Sequence, residues 1–119
     1  MAQVVKLRQA QDLGLEGRKS LAILSADKNV SAVTLRHVEI PVVSAEDDVR
    51  KPHSHPDTEE CIHVLSGRGV FCTDADETEL ERGDTVLVPP GELHVTRNIG
   101  NVPLVLLCFF PVGKLDAHG

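Results

Sequence analysis

The chain has 119 residues, enough for one domain with a single hydrophobic core. Apolar residues make up 41% and charged residues 25%, the balance of a folded chain and not of a disordered one. The net charge of −6 argues against a nucleic-acid partner or an anionic membrane surface, because both require a basic patch.

The first 19 residues lack the apolar core of a signal peptide, so a cytoplasmic protein is expected. Residues 4–14 carry weak helical spacing, with Val4, Leu7 and Gln11 on one face. Short β-rich runs follow at 20–25, 29–40, 60–65, 69–73, 85–88, 93–98 and 103–110, most of them bounded by Gly, Pro, Asn or Asp. Runs of this kind at this spacing predict an all-β sandwich or barrel. Residues 44–52 form a charged loop. Residues 73–78 read as a hairpin tip, and 88–92 as a tight turn in which proline fixes φ and glycine supplies φ > 0. The longest apolar run, 102–112, is too short to span a bilayer and contains Pro103 and Pro111. Cys61, Cys72 and Cys108 are odd in number and form no CxxC pair, which fits three reduced thiols and not a disulfide framework.

The stretch "HSHPDTEECIHVLSG" (53–67) holds half of the chain's six histidines. In an extended segment His53 and His55 point to the same side. Glu59 or Glu60 follows closely enough to bring a carboxylate to that side. On a strand starting near residue 60, Glu60 shares a face with Ile62 and Val64, where a charge needs a partner, and a cation is the obvious one. Imidazoles with a carboxylate suit Fe, Mn, Co, Ni, Cu or Zn, whereas Ca and Mg prefer oxygen shells. His63 lies at odd spacing from Glu60 and is expected to face away. On the run 29–40, His37 is expected to be structural, although register could bring Arg36 or His37 to the pocket.

A second stretch, "GDTVLVPPGELHVTRN" (83–98), completes the pattern. The first stretch reads H-x-H-x4-E-x6-G at His53, His55, Glu60 and Gly67. The second reads G-x5-P-x-G-x2-H-x3-N at Gly83, Pro89, Gly91, His94 and Asn98. Together they resemble the two motifs of the cupin superfamily. Only Glu60 has the motif's six residues between itself and Gly67, so the resemblance selects it over Glu59. The family pattern carries a glycine where this chain has Asp47, a departure that touches the loop before His53 and not the ligands. The resemblance implies a single jelly-roll β-barrel of two antiparallel sheets. It also implies one divalent transition metal held by His53, His55, Glu60 and His94, and a homodimer. The expected organisation is an N-terminal extension that makes the dimer contact (1–25), the cupin barrel (26–112) and a polar tail (113–119) that includes His118.

Four protein ligands would leave positions open for substrate, water or O2, as a catalytic site requires. The chain has no Tyr and no Trp, so no phenol serves as general acid, and a sugar site lacks its usual stacking rings. The predicted inner wall is aliphatic: Ile62, Val64, Val70, Val86 and Val88. Cys72 and Cys108 are further candidates for the interior. On the last run, either Leu104, Leu106, Cys108 and Phe110 or Val105, Leu107 and Phe109 face inward. Such a dry pocket suits a small acid, ketone or enol-type substrate. The expected function is a metal-dependent oxidoreductase of the dioxygenase type, with Glu60 tuning the metal and shuttling a proton. The alternatives are a non-redox isomerase, lyase or cyclase, and a non-catalytic domain that binds a small molecule.

Overall fold

Alternating burial along short strands builds the fold. In the last strand, β9 (Leu104–Phe110), Leu104, Leu106, Cys108 and Phe110 are buried, and Val105, Leu107 and Phe109 are only partly so. This decides which face of 103–110 points inward. The computed structural model describes residues 1–115. His118 and the greater part of the predicted tail, 113–119, lie outside the described residues.

The other strands are β1 (Gln11–Asp12), β2 (Lys19–Leu24), β3 (Thr34–Ile40), β4 (Glu60–Ser66), β5 (Arg68–Thr73), β6 (Glu77–Glu81), β7 (Thr85–Val88) and β8 (His94–Asn98). A short helix, α1 (Ala26–Asn29), separates β2 from β3. The larger sheet runs β1-β2-β3-β9-β4-β7 and the smaller one β6-β5-β8, all paired antiparallel. Neither sheet closes on itself. One core joins them: Ile40, Val64, Leu104 and Phe110 from the larger sheet pack with Phe71 and Leu80 from the smaller. Each such side chain stabilises the fold by roughly 1.5–3 kcal/mol relative to exposure. Among the described residues no helix is long and apolar enough to cross a membrane.

Local chemistry explains where the elements depart from the sequence reading. The weak helical spacing at 4–14 becomes a single 3-10 turn at Leu7–Gln9 with no buried residue, followed by β1. A helix without an apolar face to bury does not recover its nucleation cost. The run predicted as a strand from residue 29 begins only at Thr34. Ser25 caps α1 by accepting from the Lys28 amide at 3.1 Å, and Val30 ends it in the left-handed region at φ 56°. β6 carries no apolar alternation in sequence, because four of its five residues are exposed and only Leu80 is buried.

Asn98 ties the fold around the site. Its amide donates to the carbonyls of Ile40 at 3.1 Å and Val102 at 2.9 Å, and its oxygen accepts from the Gly100 amide at 2.8 Å. The end of β8 is thereby fixed to β3 and to the loop that leads into β9. In the loop before His53, Asp47 replaces the motif glycine at an ordinary negative φ. Its amide bonds the Ser44 carbonyl at 3.1 Å, and its carboxylate accepts from the Ser44 hydroxyl at 2.9 Å.

Candidate metal centre

The backbone brings the two motif stretches together before any side chain contributes. The His53 amide donates to the His94 carbonyl and the His94 amide to the His53 carbonyl, both at 2.9 Å. The turn at 88–92 clasps the same segment, because the Gly91 amide donates to the His55 carbonyl at 3.0 Å. Gly91 makes that approach at φ 81°. Glu60 opens β4 opposite Val88, the first residue of that turn. The result is a group of four donors, His53, His55, Glu60 and His94, whose ligand atoms all lie within 4.8 Å of one another. Three of the four are buried, and His53 is half-buried.

Their chemistry fits a transition metal. Glu60 Oε1 is 3.2 Å from His94 Nε2 and 3.5 Å from His55 Nε2. His94 Nδ1 lies 2.9 Å from the Glu92 carbonyl, so this nitrogen carries the proton and donates. Nε2 is then the nitrogen with a lone pair for a metal, the usual way an outer hydrogen bond sets the tautomer of a ligand histidine. Burial, followed by the neighbouring charge of His94, pushes His53 down to about 4, so this imidazole stays neutral near pH 7. Burial also opposes charge on His94, but the Glu60 and Glu92 hydrogen bonds outweigh it and hold that ring above its ordinary value. Phe110 meets the His55 ring edge-on at 4.8 Å, and Phe71 stacks on His94 at 5.6 Å. Three imidazoles and one carboxylate, packed by aromatic rings, are compatible with one transition metal ion.

The neighbouring candidates separate cleanly. Glu59 is exposed, whereas Glu60 is 5% exposed. His63 faces away, its Nδ1 2.8 Å from the Thr85 hydroxyl. On β3 it is Arg36, not His37, that lines the cavity beside the four donors. Cys108 lines it as well, and burial, then Glu60, push its thiol well up. Cys72 instead borders a separate crevice with Val70.

The wall of this cavity is only in part the one expected from sequence: Leu106, Cys108 and Phe110 of one predicted β9 face line it, but the middle strands contribute less and arginines contribute more. Of the five predicted aliphatic residues only Ile62 lines it. Val64 and Val88 are spent in the core, Val86 packs against that core, and Val70 points elsewhere. In their place stand Arg18, Arg36 and Arg50, with Ser20 and Thr96. A signal for Arg36 existed: it alternates with Thr34, Val38 and Ile40, two of which are fully buried. Arg18 and Arg50 come from outside the strands, where periodicity carries no information about direction.

Residues 42–110 match the cupin domain family. An uncharacterized protein of Methanocaldococcus jannaschii is 45% identical over 56 residues, covering 47% of this chain and 45% of that protein. A glucose-6-phosphate isomerase of Thermococcus kodakarensis is 32% identical over 72 residues, covering 56% of this chain and 38% of that enzyme. The matched stretches therefore span less than half of these two relatives. Among solved structures, a variant of Bacillus subtilis oxalate decarboxylase superposes with a TM-score of 0.76 at 26% identity, over 92% of this chain and 29% of that one. The family match, the two paired motifs and the shared strand architecture lead to one conclusion: the chain belongs to the cupin family.

Proposed function

We propose that this protein is a metal-dependent enzyme acting on a small organic acid, ketone or enol-type substrate, as a dioxygenase-type oxidoreductase. The observation that carries this reading is the buried cluster of His53, His55, Glu60 and His94, which lines a cavity that also reaches solvent-accessible residues. In this reading the two sheets are the halves of a jelly-roll barrel, and the site lies inside it. A divalent transition metal held by these four residues would supply Lewis acidity and, if redox-active, electron transfer to dioxygen.

The chain's own residues supply the rest. Glu60 is the carboxylate of the cavity wall, so it is the chain's own group through which a proton would be passed. Phe71 and Phe110 pack the imidazoles, which fixes ring orientation and excludes water from that side. With no phenol in the sequence, Glu60 is the natural proton carrier.

A second reading, a non-redox lyase, isomerase or cyclase, draws support from the names of the relatives, an isomerase and a decarboxylase. A third is a non-catalytic domain that binds a small molecule. The test is a screen of small keto, enol and hydroxy acids with metal-loaded protein, run with and without oxygen and followed by electrode and mass spectrometry. Product that forms only in air, with oxygen consumed, supports the dioxygenase. Equal turnover in both atmospheres moves the assignment to the non-redox class. No turnover in either leaves the binding domain.

A further inference from the structure

In a chain of net charge −6, the wall of the metal-centre cavity is locally positive. Arg18, Arg36 and Arg50 all border it, and Glu60 is the carboxylate among its lining residues. Arg50 is largely committed to the scaffold: it pairs with Asp48 at 3.3 Å and donates to the Thr96 carbonyl. Arg18 donates to the Glu16 carbonyl at 2.8 Å, a neutral acceptor that does not balance its charge. The Arg36 guanidinium lies 5.8 Å from the centroid of the Phe110 ring, which in turn packs on His55. The cations sense one another, since burial and then the like charges of Arg50 and Arg36 hold Arg18 below its usual range. A divalent ion at the centre would add further positive charge to the same space.

We propose that the cavity takes a small dicarboxylate, one carboxylate directed at the metal centre and the other received by the guanidinium groups of Arg18 and Arg36. The first contact rests on the metal-enzyme reading above; the second rests on the arginines alone. A guanidinium fork matches a carboxylate through two parallel N–H donors, which a lysine does not reproduce. The cavity is about 70 Å³ in volume. A single water needs roughly 10–15 Å³ on the same measure, so the space suits a short-chain molecule. Val38, Ile40 and Leu106 supply an apolar wall for the carbons that join the two carboxylates. A dianion also offsets the charge of Arg18 and of a bound ion better than a monoanion or a neutral molecule.

The test titrates malonate, acetate, malonamide and inorganic phosphate into metal-loaded protein by calorimetry, with metal content measured on every sample. Malonate is expected to bind at least tenfold more tightly than each of the others. Arg18→Gln and Arg36→Lys should each lose at least tenfold in malonate affinity while retaining metal. The wild-type comparison stands even where a variant folds poorly. Full metal content with malonate no tighter than malonamide overturns this inference and leaves the metal centre intact. Preference for phosphate overturns the dicarboxylate assignment. Arginine-dependent malonate binding by protein that takes up no metal supports the anion site and overturns the metal-enzyme reading instead.

Discussion

Glu60 and Glu59 are adjacent in sequence and opposite in environment, so they separate a candidate metal ligand from a bystander. Glu60 is 5% exposed and within 3.5 Å of two imidazole nitrogens, while Glu59 is exposed. Replacing His53, His55, Glu60 or His94 with Ala should lower metal affinity by more than the roughly 10–100-fold that loss of an outer hydrogen-bond partner costs. Glu59→Ala and His63→Ala should retain full metal content by elemental analysis; retention in Glu60→Ala with loss in Glu59→Ala would reverse the register. Asp48 supports the site from outside. Its side chain is 3% exposed and bonds Arg50 at 3.3 Å and Arg97 at 2.8 Å, and Arg50 in turn holds the Thr96 carbonyl two residues beyond His94. Burial alone would raise its carboxyl, but the Arg50 and Arg97 hydrogen bonds outweigh this and hold it below its ordinary value. A depressed carboxyl contributes stability that is full above the ordinary carboxylate value, near 3.9, and is lost as pH falls through the lowered one. Asp48→Asn should therefore cost about 1.5–3 kcal/mol in urea unfolding at pH 7. The gap to wild type should close below about pH 4; a gap that is constant with pH would show that the carboxylate's charge is not what matters.

Gly67 shows how a motif position acts at the level of strands. It turns β4 into β5 at φ 87°, and a Cβ there would lie 2.7 Å from the Pro103 carbonyl oxygen and 2.9 Å from Leu104 Cα. Gly83 has a similar φ of 93°, yet its Cβ would meet nothing within 4 Å. Both alanine variants store backbone strain of roughly 1–3 kcal/mol, but only Gly67→Ala adds a backbone clash that displaces β9. Gly67→Ala should be clearly the less stable in denaturant titration, and equal stability would remove the close approach as the reason for that glycine. The same elements show what was legible in the sequence. The motif strands β4, β7 and β8 could be read because β-branched runs end at glycine or proline and the motif spacing fixes their register. The inward face of β9 could not be read, since Leu104 to Phe110 is apolar on both sides; burial against β3 and β4 decides it. β6 was hidden by its exposed polar residues, and α1 by a capping serine inside a β-rich run. The four metal-binding candidates were legible because spacing carries them. The arginines were not, because two of the three stand outside the strands.

At the scale of the whole molecule, association and metal binding are both read from what the core leaves out. We propose that residues 1–25 contact a second copy of the chain, as Val4 and Leu7 stay exposed at 78% and 48%. Solution scattering at micromolar concentration should give a dimer mass, and a monomer would sink the idea. Metal removal probes the other half. The apolar cluster that joins the two sheets is built from side chains other than the four donors, so the core is expected to form without an ion. Chelated protein should keep its β circular dichroism and a cooperative melt, at a lower Tm. An ion that binds only the folded chain adds about 4 kcal/mol at a thousandfold excess over its Kd. Protons compete for the same imidazoles, whose ordinary pKa is about 6.5, so the gain should shrink below roughly pH 6. A chelated chain that is unfolded at room temperature would make the metal part of the scaffold, and would move its stabilising role from the site to the fold.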